Sequence, residues 1–194
     1  MLEFPAIRAF EFDTDLTRIE DAFKASIATM EQAHIAAEEA SDRYEASGED
    51  DDEYDEDGAL ISSTRGQLRW AAMQTSLSQS VIREAFTTSI FHFWEYSARG
   101  WTGSDEHDFR RLRRAVRQLG YAVDGEGLAL LNDVNNLLKH DNITTGRKVF
   151  ERKPSLFWSG REPTTRHWRS ALRLTNDDVT GFIETVRRSG PTYP

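Results

Sequence analysis

Cysteine is absent from this chain of 194 residues, and proline is scarce, with five residues. Without thiols the protein has no disulfide bridges, no thiolate metal ligands and no cysteine nucleophile. Long apolar runs are also missing, since none approaches the roughly 18 residues that cross a bilayer. These absences predict a cytoplasmic protein without membrane segments. Apolar residues still make up 38% of the chain, which is enough for the core of a single domain over 1–194.

Motifs of several enzyme classes are absent as well. The chain has no Gly-rich phosphate loop ending in Lys-Ser or Lys-Thr, no Gly-x-Ser-x-Gly nucleophile elbow and no His-Glu-x-x-His zinc motif. The five histidines are dispersed without metal-ligand spacing, at His34, His92, His107, His140 and His167. Neither a metal site nor a cofactor is therefore predicted.

One segment accounts for the net charge of −9. Twelve acidic residues and a single arginine lie between Glu38 and Asp57, while the rest of the chain is slightly basic. A disordered acidic loop over 46–60 is predicted, because like charges repel and few apolar side chains are available for burial. A calcium loop is disfavoured by register, since Gly58 at its sixth position places Thr64 where a bidentate glutamate is needed. A third interpretation is an acidic decoy that covers a basic face or mimics nucleic acid.

Apolar residues recur at helical spacing through most of the chain, which predicts an all-α fold. The predicted elements are helix 1 over 13–45, the loop over 46–60, helix 2 over 63–99, helix 3 over 104–119, helix 4 over 127–140 and a C-terminal extension over 143–194. Within the extension, Ser155–Ser159 and Arg166–Leu174 are candidates for a short β-hairpin, and Asn176 or Asp177 is expected to cap a last helix. The expected architecture is an up-down bundle of four to five long helices with a small irregular or hairpin segment near the C-terminus.

The fourth helix has an unusual polar face. Five polar side chains fall within about 140° of arc, opposite a row of leucines: Asn132, Asn135, Asn136, Lys139 and His140. Three asparagines make the free energy of helix formation less favourable by about 2 kcal/mol in total. We therefore expect the amides to have a structural or binding role. They either bond neighbouring helices and cap the helix end, or they form a binding site together with His140.

The segment Val134–His140 resembles the signature of the HEPN superfamily of small helical bundles. In that family one helix carries an arginine, often followed by asparagine, and a histidine five to seven positions after the arginine. Asn136 matches the asparagine and His140 the histidine, and the long loop between the first two helices is similar too. The resemblance covers about 13–142. It implies metal-independent RNA cleavage at a site formed by a homodimer, as in toxins and antiviral systems.

The sequence departs from this pattern at Asn135, which occupies the arginine position. The resemblance implies that His140 moves the proton, that Asn136 orients it or the phosphate, and that another cation such as Lys139 supports the charge. A supporting polar cluster is predicted from His92, Glu95, Arg99, Asn132 and Asn135, and the alternative for its helix 2 members is an internal Glu95–Arg99 ion pair. Candidate nucleic-acid contacts are Arg110, Arg113, Arg114, Arg117, Arg147 and Lys148.

Two functional hypotheses follow from these residues. The first is an HEPN-like RNA-binding protein that acts as a metal-independent endoribonuclease of a toxin or antiviral system. The second is a non-catalytic, antitoxin-like or regulatory helical module whose acidic loop engages a basic partner. An exposed His140 in a cleft beside a lysine or arginine favours the first hypothesis, and a buried His140 favours the second.

Overall fold

The computed structural model describes residues 5–164 and 167–192 and is predominantly helical. The helices of that part of the chain are α1 (Pro5–Ser47), α2 (Thr64–Thr102), α3 (Phe109–Gln118), α4 (Gly125–His140), α5 (Ile143–Arg152), α6 (Trp168–Ala171) and α7 (Asn176–Arg187). Two short strands, β1 (Glu53–Tyr54) and β2 (Leu60–Ser62), pair antiparallel between α1 and α2. The predicted all-α fold is confirmed. None of the helices described combines the length and apolarity needed to cross a membrane.

The chain divides into two compact units. The first, here called the bundle unit, comprises residues 1–23 and 83–194, and the second, the hairpin unit, comprises residues 24–82. Both boundaries fall inside the long helices α1 and α2. Apolar residues continue at helical spacing across these boundaries, so the periodicity gives no signal of the division.

The core of the bundle unit is built around α4. Leu131, Val134 and Leu137 on this helix are fully buried. Further buried apolar residues of this unit lie on α2, α3 and α7, namely Ile90, Phe91, Trp94, Leu112, Val116, Val179, Phe182, Ile183 and Val186. Helix α4 itself packs against α5 and α7. The indole Nε1 of Trp94 donates a 2.7 Å hydrogen bond to the carbonyl oxygen of Ser189, which satisfies its polar atom inside the core.

Capping residues set the helix boundaries. Asp108 caps α3 by accepting a 2.9 Å hydrogen bond from the backbone N–H of Arg111, so this helix begins at residue 109 and not at residue 104 as predicted. Asn142 caps α5 in the same way. The predicted C-terminal extension over 143–194 includes no helix at the position of α5, although an asparagine cap was a readable signal. Thr175 caps α7, whereas Asn176 or Asp177 was predicted.

The C-terminal segment is irregular, which is one of the two alternatives predicted for it, and the candidate β-hairpin does not form among the described residues. Phe157 and Leu172 form a single bridge, and the segment around them consists of 3-10 turns at Pro154–Leu156 and Trp158–Gly160 followed by α6. Pro154 begins the first turn and Gly160, with a φ of 60°, ends the second, so the segment cannot continue as a strand. Arg166 of the predicted second strand lies outside the described residues.

Gly146 of α5 packs directly against the indole ring of Trp168. A Cβ atom at this position would lie 2.5 Å from two ring carbons of Trp168, which is itself buried against Phe150 and Phe157. We therefore expect Gly146→Ala to lower the free energy of unfolding by about 1–3 kcal/mol, because the ring must shift to relieve the overlap. Urea denaturation monitored by circular dichroism measures this loss.

A second glycine in a helix of the same unit provides the control. Gly181 of α7 is exposed, and a Cβ there would meet no atom within 4 Å. Gly181→Ala is expected to stabilise the protein by about 0.5–1 kcal/mol through helix propensity alone. Equal effects of the two substitutions would contradict the packing argument at Gly146.

The hairpin unit has very little core of its own. Within residues 24–82, all of which the structure describes, Ile27 is the one buried hydrophobic residue. His34 and Thr75 hydrogen-bond across the unit at 2.9 Å, and Arg69 pairs with Glu45 at 2.8 Å. Polar contacts between the two helices thus supply part of what holds this unit together.

The segment predicted to be a disordered loop contains the β1–β2 hairpin. The carboxylate of Asp55 accepts hydrogen bonds from the backbone N–H groups of Asp57 and Ala59, at 3.0 and 2.7 Å. Gly58 adopts a φ of 80°, which closes the turn. Asp51 accepts hydrogen bonds from the hydroxyls of Tyr44 and Thr64. These local bonds order a segment that has too few apolar residues to order itself by burial.

Candidate nucleic-acid interface

A groove lies between α3, α4 and α5 in the bundle unit. Its main cavity has a volume of about 720 Å³, and its polar lining includes Arg110, Arg113, Asn132, Asn136, Lys148 and Arg152. A second cavity of about 560 Å³ shares Arg113 and Arg152 with the first and reaches Gly125–Gly127 at the start of α4. We refer to the two cavities together as the α3–α5 groove.

Helical spacing explains how these side chains come together. Arg110 and Arg113 are one turn apart on α3, and Lys148 and Arg152 are one turn apart on α5. On α4, Asn132 and the half-buried Asn136 are also one turn apart. The leucines on the opposite side of α4 are buried in the core, which directs this pair of amides into the groove.

The cations of the groove are crowded. Burial lowers the pKa of Arg113, and repulsion from Arg117, Arg110 and Arg152 lowers it further. The Arg113 guanidinium donates a hydrogen bond to the carbonyl oxygen of Gly125 and lies 5.5 Å from the ring centre of Phe109. Mutual repulsion among arginines indicates a surface on which an anion is favoured.

The carboxylates of the groove compensate these cations only in part. Asp133 pairs with Arg152 at 2.7 Å, and Asp108 is engaged in capping α3, which lowers its pKa through the backbone N–H of Arg111. Glu151 is the third acid in the lining. Among the residues that the structure describes, five cations of α3 and α5 have no ion-pair partner: Arg110, Arg113, Arg114, Arg117 and Lys148.

The structure separates the predicted residues of α4. Asn132 and Asn136 line the groove, whereas Asn135 is 1% exposed and its Oδ1 atom has no hydrogen-bond donor among the described residues. Lys139 and His140 are exposed at the end of the helix, one turn beyond Asn136, and are outside the lining of both cavities. Asn135 is therefore a core residue and cannot contact a ligand in the groove.

The helix 2 residues of the predicted cluster bond elsewhere. Glu95 and Arg99 form the predicted ion pair at 2.9 Å, and His92 lies 3.3 Å from the same carboxylate. Arg99 also reaches the carbonyl oxygen of Glu106 and the ring of His107, both at 3.3 Å. The side chains of His92, Glu95 and Arg99 are therefore bonded within α2 and the α2–α3 connection. This supports the internal Glu95–Arg99 ion pair over a site shared with Asn136.

The basic residues of α5 differ in where they lie relative to the groove. Arg147 pairs with Glu162 at 3.3 Å and does not line the groove, whereas Lys148 does. Arg152 lines both cavities and was missed. Its spacing of four residues from Lys148 was a usable signal only once α5 had been recognised as a helix.

Comparisons of the chain with models of protein families, with curated proteins and with solved structures found no match. In the described part of the chain, no group of three or more histidine, aspartate or glutamate side chains converges on a common point where a metal ion would be held. The side chains of this region offer guanidinium and ammonium groups that bind phosphate, and amides that donate and accept hydrogen bonds. An exposed imidazole lies at the end of α4.

Proposed function

We propose that the α3–α5 groove binds RNA through its phosphodiester backbone. The observation that carries this proposal is that Arg110, Arg113, Lys148 and Arg152 line one cavity, where Arg152 alone of the four forms an ion pair with a described residue, Asp133. Guanidinium groups bind phosphate oxygens through paired N–H donors. The amides of Asn132 and Asn136 in the same groove can both donate to and accept from a ribose 2′-hydroxyl, the group that distinguishes RNA from DNA.

We further propose that the protein cleaves this RNA without a metal ion, with His140 as the proton-transfer group. In this reaction the 2′-oxygen gives its proton to the imidazole and bonds to phosphorus, and the 5′-oxygen leaves and takes a proton from water. Support for this role is that His140 is exposed beside Lys139 and one helical turn beyond Asn136, at the helix end outside the lining of the two cavities. Since Asn135 is buried, the cation that stabilises the phosphate must come from Lys139 or from the groove.

A second candidate function is engagement of a basic protein partner by the hairpin unit. Residues 24–82 carry thirteen acidic side chains and four basic ones. A surface with that excess attracts cationic partners at low ionic strength. This function predicts that binding depends on the acidic segment and is unaffected by charge changes in the groove.

Charge reversal in the groove tests the first proposal. We expect the double variant Arg110→Glu, Lys148→Glu to bind a labelled single-stranded RNA about 100-fold more weakly in fluorescence anisotropy, since two phosphate contacts become repulsive. The slope of log affinity against log salt concentration should also decrease by about 1.4, for two fewer phosphates. Both positions tolerate the change structurally, because they are exposed and form no ion pair with described residues.

The matched control is Arg18→Glu, Arg161→Glu. It changes the net charge by the same amount at exposed positions outside the α3–α5 groove. If both double variants weaken binding equally, only the overall charge matters and the groove is not the binding site. If neither weakens it, the protein does not bind RNA through the cations we assign.

A further inference from the structure

An exposed apolar stripe follows α2 through the hairpin unit. Trp70, Met73, Leu77 and Val81 are 59%, 45%, 53% and 65% exposed. Their spacing of three and four residues places all four on one face of the helix. On the opposite face Leu68, Ala72 and Thr75 are half-buried, in line with the contact between Thr75 and His34 of α1. The large apolar side chains of this part of α2 therefore point away from the partner helix of their own unit.

The same segment contains no charge. From Trp70 to Ile82, thirteen consecutive residues include no Asp, Glu, Lys or Arg. Surfaces that face water normally contain about 25–35% charged residues of both signs. A helix face that is exposed, apolar and uncharged has the composition of an interface and not of a solvated surface.

We infer that this stripe is where a second copy of the chain docks, with α2 packed antiparallel against α2 of the other copy about a two-fold axis. A two-fold contact brings the same patch together from both sides, and a patch without charge meets itself without repulsion. The antiparallel arrangement is favoured by the acidic hairpin that precedes α2. A parallel pair would place two acidic segments side by side, whereas an antiparallel pair places them at opposite ends.

The area of the stripe is adequate for such a contact. With roughly 150–250 Å² for an aromatic side chain and less for Met, Leu and Val, the four exposed fractions correspond to about 400 Å² of apolar surface per copy. Two copies would bury about 800 Å² from these side chains alone. The uncharged residues on either side of the stripe bring the total toward the lower end of the roughly 1,200–2,000 Å² found in stable interfaces.

The oligomeric state and its response to one added charge test this inference. We expect the wild-type protein to be a dimer in sedimentation and light-scattering measurements, and Leu77→Glu to weaken self-association at least about 100-fold. Tyr96→Glu is the control, because Tyr96 lies on the same helix outside the hairpin unit and is 81% exposed. Val81→Glu repeats the test at a second exposed position, and circular dichroism verifies that each variant remains helical.

The cysteine-free sequence allows the orientation to be measured directly. In an antiparallel pair centred on the stripe, two copies of residue 74 are about 5 Å apart along the axis, and two copies of residue 67 are about 25 Å apart. A short bismaleimide should therefore crosslink Gln74→Cys and not Gln67→Cys. Both glutamines are exposed, so the substitutions leave the fold intact.

Each alternative result overturns the inference. A wild-type protein that stays monomeric over about a hundredfold range of concentration excludes a second copy as the occupant. A dimer that Leu77→Glu and Val81→Glu leave intact uses another surface. Crosslinking at both cysteine positions would show a parallel pair. None of these measurements involves RNA, so they are independent of the function proposed for the groove.

Discussion

Replacement of His140 by alanine is expected to reduce cleavage of RNA about 10²–10⁴-fold in the presence of EDTA, the range that a positioned acid–base group contributes. Stability should be unchanged, since His140 is exposed and forms no hydrogen bond with the described residues. Affinity for RNA should also change little, because binding is assigned to the groove cations. Single-turnover cleavage of a labelled RNA, combined with anisotropy on the same samples, separates the chemical step from binding.

Two comparisons make the His140 result interpretable. His107→Ala removes another exposed histidine of the bundle unit and is expected to cleave at the wild-type rate. The groove variant Arg110→Glu, Lys148→Glu should lose cleavage through loss of binding, with recovery at high protein concentration. Identical RNA patterns from wild type and His140→Ala would remove the nuclease proposal, while RNA binding through the groove would stand as a separate result.

Much of the groove could be predicted from the sequence because helical periodicity is a local property. Asn132, Asn136, Arg110, Arg113 and Lys148 were all identified, and the structure brings them together along one groove. That convergence depends on how α3, α4 and α5 pack. Hydrophobic spacing within each helix fixes which face is polar but not which neighbour it meets. The role of Arg152 is invisible without α5, whose short run of threonines and a glycine gives a weak helical signal.

The two units illustrate a different limit. Periodicity reports that a helix has an apolar face, but it does not report whether that face is covered. In α2 the apolar residues of the bundle unit, such as Ile90 and Trp94, are buried, whereas Trp70 and Leu77 of the hairpin unit are exposed. Both sets follow the same helical spacing. Only tertiary structure distinguishes a core from an interface in such a helix.

Asn135 shows how a correct helical period can still misplace a residue. On a wheel of 100° per residue it falls at the edge of the polar arc, beside Lys139. Leu128, seven residues earlier and on the same edge, is fully buried, and Asn135 is buried with it. That leucine was the available signal that this edge of α4 faces the core. The burial also means that an arginine at position 135 would place a guanidinium in the core, where it could not reach a ligand in the groove.

A carboxylate at this position should have the largest effect on stability of any single substitution considered. In Asn135→Asp, the oxygen that already has no donor would carry a charge inside the core. Burial of this kind raises a carboxyl pKa by about three units or more. At pH 7 that corresponds to a loss of about 4 kcal/mol in the free energy of unfolding, a large share of the roughly 5–15 kcal/mol of a typical domain.

The pH dependence identifies the cause of this loss. Because the carboxyl pKa is raised in the folded state, the destabilisation relative to wild type should be small below about pH 4, the pKa in the unfolded chain. It should then grow as pH increases, until the raised pKa of the folded state is passed. Asn135→Leu, which removes the unsatisfied oxygen without adding a charge, should differ from wild type by the same amount at every pH. Urea denaturation of the three proteins between about pH 4 and pH 8 measures both effects. A difference between Asn135→Asp and wild type that does not change with pH would mean that residue 135 reaches water. Residue 135 would then not be a core residue, and a side chain there could contact a ligand.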